Sequence, residues 1–257
     1  MKDCCQIVSD VIRLVGSKIE PGVETESLDR FAEEYIRSFG ARPAFKGYTP
    51  PSGARYPFPS TLCISIDDAV VHGMPSKHKR LENGQIVSID VGVEKNGYFG
   101  DGAATFAVGT VSEEKTRLMN VTQESLFKGI EQAKPGNRLH DISAAIQEYV
   151  EANGFSVVRD LVGHGIGKEL HEDPPVPNFG KRGTGMKLVE GMALAIEPMV
   201  NYGGFKVRVG SDGWTVLSKD GSPSAHFEHT IVIGNDGAQV LTNHLTRLNG
   251  ETRRYNS

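Results

Sequence analysis

The chain has 257 residues, with 28 Lys and Arg against 32 Asp and Glu, a formal net charge of −4 and a charged fraction of 23%. That length supports one large domain or two small ones around a sizeable core. Basic residues gather only in short runs such as 77–80, so the electrostatic footprint of a nucleic-acid-binding protein is absent. Three cysteines, Cys4, Cys5 and Cys63, are odd in number and include an adjacent pair, a poor disulfide framework that predicts a reducing compartment. No apolar run approaches a membrane span. The opening "MKDCCQIVSDVIRLV" breaks its apolar residues with Asp, Gln, Ser and Arg, unlike a signal peptide. A cytoplasmic protein without a membrane partner is expected.

In chain order, the spacing of apolar residues predicts a helix over roughly 4–18. A second, amphipathic helix follows in "PGVETESLDRFAEEYIRSFG", which starts at Pro21. The link "GYTPPSGARYPFPS" carries four prolines and reads as a loop. The run "NGQIVSIDVGV" (83–93) reads as a buried strand and places Asp90 inside it. Asn96-Gly97 signals a hairpin turn into a second run that holds Asp101. A third helix is predicted over roughly 112–132, and a fourth lies in "PGNRLHDISAAIQEYVEANG", which starts at Pro135. That segment superposes on the one at Pro21 with an offset of 135 − 21 = 114, matching Pro, Gly, an aliphatic (Leu28, Ile142), a tyrosine (Tyr35, Tyr149) and a closing glycine (Gly40, Gly154).

A second match follows each helix pair. The run 83–93 aligns without gaps on "EGMALAIEPMV" (190–200), offset 190 − 83 = 107, so that Asp90 falls on Glu197 and 190–200 also reads as a strand. The order implies duplicated helix-helix-strand units sharing one sheet in an α+β chain, its helices covering a face. One domain is expected over 1–245, with related halves of about 1–110 and 111–245, and a solvated tail over 246–257.

Between these matches lies "LVGHGIGKELHE", with His164 and His171 seven residues apart and Gly163, Gly165 and Gly167 around the first. Glycines so placed suggest a backbone that turns sharply or lets something approach closely. The histidines gain meaning from four acids set in apolar runs: Asp90, Asp101, Glu197 in "LAIEPMV" and Glu228 in "HFEHTIVIG". A carboxylate in a buried strand is costly unless paired or bound to metal. Four separate buried salt bridges would need about four basic partners, and those apolar runs hold no Lys or Arg. Oxygen-rich ligation with one imidazole instead suits two divalent transition metals bridged by carboxylates. Metals sharing a water lower its pKa and give a hydroxide nucleophile near neutral pH, which reads as metal-assisted hydrolysis.

The segments "VVHGMP" (His72), "SIDVGV" (Asp90), "GYFGDGA" (Asp101), "GHGIGKELHEDP" (His164, His171), "IEPMV" (Glu197) and "SAHFEHTIVI" (Glu228) together resemble the type I methionine aminopeptidases, metallopeptidases of the pita-bread fold. The resemblance runs from about residue 3 to residue 243, and that fold's internal pseudo-symmetry fits the duplicated segments. It implies removal of N-terminal methionine from nascent polypeptides and peptides whose second residue is small. It also implies action at the ribosome and a monomer. By position it implies that Asp90, Asp101 and Glu228 hold one metal and Asp101, His164, Glu197 and Glu228 the other, the ions being Co, Mn, Fe or Zn. His171 is then a non-ligand aimed at the scissile carbonyl, Glu197 the proton carrier, and His72 a contact to the substrate amide nitrogen. Phe45, Tyr48, Phe58, Cys63 and Trp214 would line the methionine pocket with His72 at its edge. His78, His140 and His244 are read as surface or structural.

Two features depart from the resemblance. His226 stands where that family usually has glutamine, and residues 49–57 lengthen a link that is typically much shorter. Rival readings on the same fold are a prolidase or aminopeptidase P, a metal-free hydrolase of creatinase type, and a non-catalytic peptide-binding module.

Overall fold

A computed structural model of the chain describes residues 1–50 and 56–245. Residues 51–55 of the long link and the expected tail over 246–257 lie outside the described residues.

Helix α1 (Lys2–Gly16) buries Cys4, Val8, Val11, Ile12 and Val15 along one stripe, the i, i+3, i+4 spacing of an amphipathic helix. Helix α2 (Thr25–Ser38) buries Leu28, Ala32 and Ile36 at the same spacing. The short β1 (Arg42–Pro43) follows, then β2 (Cys63–Ile66), β3 (Ala69–Val71), β4 (Ile86–Lys95) and β5 (Tyr98–Ala107). Strands β4 and β5 meet at the expected hairpin: Lys95 pairs with Tyr98, and Asn96 and Gly97 both take positive φ (55° and 74°), as a two-residue primed turn requires. Helices α3 (Glu113–Ile130) and α4 (Leu139–Ala152) come next. The closing glycines Gly40 and Gly154 both stop their helices in the left-handed region, at φ 64° and 79°.

The second half continues with β6 (Ser156–Val157), β7 (Gly163–Gly165), β8 (Glu172–Val176), β9 (Ala193–Ile196) and β10 (Met199–Asn201). It ends with β11 (Val207–Val209), β12 (Val216–Ser218), β13 (Ser224–His226), β14 (Glu228–Ile233) and β15 (Ala238–Val240). The main sheet has nine strands in the order β1-β4-β5-β14-β9-β7-β8, with β2 also on β4 and β15 also on β14; every pairing is antiparallel. Two three-stranded sheets flank it, β13-β10-β6 and β11-β12-β3. One core cluster joins α1, β4, α3 and α4 through Val8, Ile89, Leu126 and Ile142.

The structural offsets match those of the sequence. Helix α4 starts 139 − 25 = 114 residues after α2, and β9 starts 193 − 86 = 107 residues after β4. One expectation needs correction. Residues 190–200 do not form a single strand: β9 ends at Ile196, β10 begins at Met199, and Glu197-Pro198 lies between. Proline has no N–H to continue a ladder, so the chain leaves the main sheet there and enters the second. The chain makes the reverse passage at Phe227, between β13 and β14.

Candidate metal centre and active site

Strand alternation alone gathers the acids. Asp90 pairs with Ala103 across the β4/β5 hairpin, so Asp101, two residues before Ala103, shares its face. Glu228 pairs with the same Ala103 from the other side and joins that face. His229 pairs with Ile196, so one step along the register sets Glu228 opposite Glu197. His164 pairs with Ala195, two residues before Glu197. The opposite face belongs to the helices: a Cβ built on Gly102 would touch Val8 and Ile12 of α1.

The glycines beside His164 have a steric cause. A Cβ on Gly163 would fall 2.3 Å from the Ala195 carbonyl oxygen, and one on Gly165 would fall 2.3 Å from that of Asp173. Side chains there would push β7 out from between β8 and β9. The His164 ring is oriented too. Its Nδ1 lies 2.8 Å from the Gly165 carbonyl oxygen, which can only accept, so Nδ1 carries the proton and Nε2 keeps its lone pair. That Nε2 is 3.5 Å from Glu197 Oε1 and 4.0 Å from Asp101 Oδ2.

This cluster fits a divalent cation. One ligand atom each from Asp101, His164 and Glu228 lie within 4.8 Å of one another, all buried. Asp90 Oδ1 and Glu228 Oε1 are buried without a hydrogen-bond partner. Burial, reinforced by the Asp101 charge, pushes the carboxyls of Asp90, Glu197 and Glu228 well above the usual range. Burial takes Asp101 to about 7, opposed by its hydrogen bond from the Gly102 N–H. Burial likewise lowers His164 to about 4, with His171 adding to the effect. Among the described residues only imidazoles are set against these raised, buried acids in ion-pair geometry, which leaves them suited to a bound cation. Carboxylate oxygens with one imidazole nitrogen are suited to such a metal.

The acids line one wall of a cleft of about 540 Å³, and all twelve residues singled out from the sequence border it. Phe45, Phe58 and Cys63 form a buried apolar cluster against which Tyr48 and Trp214 pack. Phe58 and Trp214 meet edge to face at 5.2 Å, and Trp214 stands 6.2 Å from the His72 ring. His72 has φ 58°, a left-handed backbone that is uncommon outside glycine. Burial takes its imidazole down to about 4 and also lowers that of His171. His171 opens to the cleft, its ring 4.4 Å from that of His164 and its Nδ1 2.8 Å from the Tyr48 hydroxyl.

Residues 1–235 match the sequence model of metallopeptidase family M24. The chain belongs to this family. Within M24 it is 52% identical over 242 residues to a methionine aminopeptidase of Clostridium acetobutylicum, covering 94% of each chain. A crystal structure of methionine aminopeptidase from Thermotoga maritima superposes with a TM-score of 0.90 at 47% identity, covering 94% of both chains. A prolidase from Pyrococcus furiosus superposes with a TM-score of 0.74 at 25% identity, and the match covers 95% of this chain but 63% of the prolidase. The shared M24 architecture is the pita-bread fold, a curled antiparallel sheet with helices.

Sequence reasoning missed the part of the M24 cleft supplied by the hairpin of β11 and β12. Val209, Gly213 and Val216 border the cavity beside Trp214, as does Pro50. The turn "GSDGW" between two valine-containing runs was the available signal. His78 is exposed; His140 and His244 are held by Thr184 and the Ala103 carbonyl. The three cysteines are free. No helix among the described residues is long and apolar enough to cross a membrane.

Proposed function

We propose that this chain is a methionyl aminopeptidase that hydrolyses the N-terminal methionine from peptides and nascent polypeptides whose second residue is small. The observation that carries the reading is the joining, in one cleft, of a buried carboxylate-imidazole cluster with an apolar aromatic slot. We assign two divalent cations: Asp90, Asp101 and Glu228 around one, and Asp101, His164, Glu197 and Glu228 around the other. Cobalt, manganese, iron and zinc all suit the donor set. When bound, the pair supplies Lewis acidity and a water acidified toward neutral pH.

The remaining chemistry belongs to side chains. The carboxylate of Glu197, whose hold on a proton burial strengthens, would take the proton of the attacking water and pass it to the leaving amine. The Tyr48 hydroxyl, itself pushed up by burial and so protonated, donates to His171 Nδ1. The His171 proton then sits on Nε2, free to donate to the scissile carbonyl as negative charge develops there. His72, neutral through burial, contacts the substrate amide nitrogen beside Trp214. Phe45, Tyr48, Phe58, Cys63 and Trp214 accept the unbranched, polarisable thioether of methionine, and a narrow slot excludes β-branched side chains.

Residues 1–245 are read as one catalytic domain of two related halves, about 1–110 and 111–245, a reading supported by the offsets of 114 and 107. Action at the ribosome, a monomer and a cytoplasmic setting belong to the same proposal. The test is release of methionine from a Met-Ala-Ser tripeptide with bound metal quantified in parallel. Turnover of an Xaa-Pro dipeptide in place of the tripeptide would mark a prolidase. Neither turnover, with metal bound, would mark a binding module.

A further inference from the structure

One histidine beside the cleft has no part in that chemistry. His226 closes β13 at 2% exposure, and neither of its ring nitrogens has a hydrogen-bond partner. A buried polar ring with its nitrogens unused is costly and calls for a reason. Its backbone is held from two sides. Met199 pairs with it across β10, while the Thr105 hydroxyl donates to its carbonyl at 2.8 Å and accepts from its N–H at 2.9 Å. The Ser88 hydroxyl, 2.8 Å from Thr105 Oγ1, then supplies its own proton to that contact.

One of these nitrogens, Nε2, lies toward Glu197. His226 Nε2 is 3.8 Å from Glu197 Oε2, and His164 Nε2 is 3.5 Å from the other oxygen, Oε1. The carboxylate therefore stands between two imidazoles, one at each oxygen. Its backbone is anchored by Asn178 Nδ2, which donates to the Glu197 carbonyl at 3.0 Å. His164 cannot donate to the carboxylate in its neutral form, because its single proton is committed to the Gly165 carbonyl. Of the two rings, only His226 can present an N–H to Glu197.

We infer that His226 is a positioning residue for Glu197, donating from Nε2 to Oε2 and so turning Oε1 toward His164 and the metal. Closing the 3.8 Å gap to hydrogen-bond length takes roughly 1 Å of side-chain motion. The free Nδ1 is then an unpaired acceptor, which the buried site tolerates better than an unpaired donor. A glutamine at this position would offer the same N–H, so the two residue types are interchangeable in this role.

The inference rests on the reading of Glu197 as a metal-holding residue, and the experiment separates the two. Metal-stripped full-length protein is titrated calorimetrically with Mn²⁺ as wild type, Glu197→Gln, His226→Gln, His226→Leu and the double variant Glu197→Gln/His226→Leu. His226→Leu is expected to weaken Mn²⁺ binding about 10- to 100-fold, as loss of a group supporting a metal ligand does. His226→Gln should retain wild-type affinity, and the double variant should bind no more weakly than Glu197→Gln alone. Wild-type affinity in His226→Leu, or a further loss in the double variant, overturns the role of His226. Wild-type affinity in Glu197→Gln overturns the assignment of Glu197 itself and the inference with it. Should His226→Leu fail to fold, His226→Met poses the same question with a more adaptable side chain.

Discussion

The two walls of the cleft are built by different means. Asp90, Asp101, Glu228 and His164 sit in strands of one antiparallel sheet, and Glu197 directly follows another of its strands. Their common face is fixed by register, since a slip of one residue would turn a whole set of side chains away. The apolar wall is framed only in part, through Cys63 of β2 and through Val209 and Val216 of the β11/β12 hairpin. Its aromatic residues Phe45, Tyr48, Phe58 and Trp214 come from turns and loops outside the strands. Trp214 is tied back by donating from Nε1 to the Tyr56 carbonyl at 3.1 Å. The metal-holding residues therefore stand on sheet ladders, while His72, His171 and most of the slot stand on connecting segments that can change without disturbing them.

The strongest way to break this division is to strip the metal. Activity should vanish in excess chelator and return with Mn²⁺ or Co²⁺; full activity in chelator would sink the metallopeptidase reading of the acidic wall. Stability carries a second signature. In the metal-free protein Asp101 is raised from 3.8 to about 7. As pH rises, the unfolded chain loses its proton first, so the native state binds more protons and stability falls across roughly pH 4 to 7. Because the buried histidines His72 and His164, lowered to about 4, push stability the other way, the Asp101 share is read as the Tm of the stripped wild type minus that of Asp101→Asn, which should fall through that window and flatten at saturating metal. A difference that stays flat or rises through the window in the stripped proteins would mean that Asp101 is compensated from within.

Removing the donor that faces the carbonyl comes next in size. His171→Ala is expected to lower kcat by about 10²- to 10³-fold, the usual loss for a donor to a developing oxyanion. Metal content should stay stoichiometric. Metal lost from this variant would move His171 into the ligand set. On the apolar wall the effect should be smaller and of another kind. Phe58→Ala should cost roughly 10- to 200-fold in kcat/KM for Met peptides and less for Leu peptides, because shape discrimination provides only about 1–3 kcal/mol per feature. An unchanged Met/Leu ratio would mean that Phe58 does not shape the slot.

The same division explains what could be read from the sequence. A carboxylate within an apolar strand is a local anomaly, so Asp90, Asp101 and Glu228 announced themselves, and the Asn96-Gly97 turn fixed how the first two meet. Glu197 was legible as an acid among apolar residues, but its place at the exit from β9 was not, because the role of Pro198 depends on which sheet receives β10. The pocket aromatics carried no signal of their own. Phe45 and Phe58 look like core residues one at a time, and only the family resemblance singled them out. Val209 and Val216 escaped notice because the hairpin that brings them to the cleft pairs with β3, far away in sequence. His226 was visible as a departure, but its use depends on a carboxylate 29 residues away (226 − 197) that only the fold sets beside it.

Tyr48 belongs to both walls and gives the finest test of the comparison. Its ring packs against the cluster of Phe45, Phe58 and Cys63, while its hydroxyl lies 2.8 Å from His171 Nδ1. Tyr48→Phe keeps the ring and deletes only the hydroxyl, so the slot should hold its shape while His171 loses the group that fixes its tautomer. One such hydrogen bond contributes about 0.5–1.5 kcal/mol, so kcat should fall roughly 2- to 12-fold with KM and the Met/Leu ratio unchanged. In a His171→Ala background the same substitution should have no further effect on kcat, since the hydroxyl acts only through that imidazole. A shifted Met/Leu ratio with kcat intact would place the hydroxyl with the slot, and the two walls would then be one.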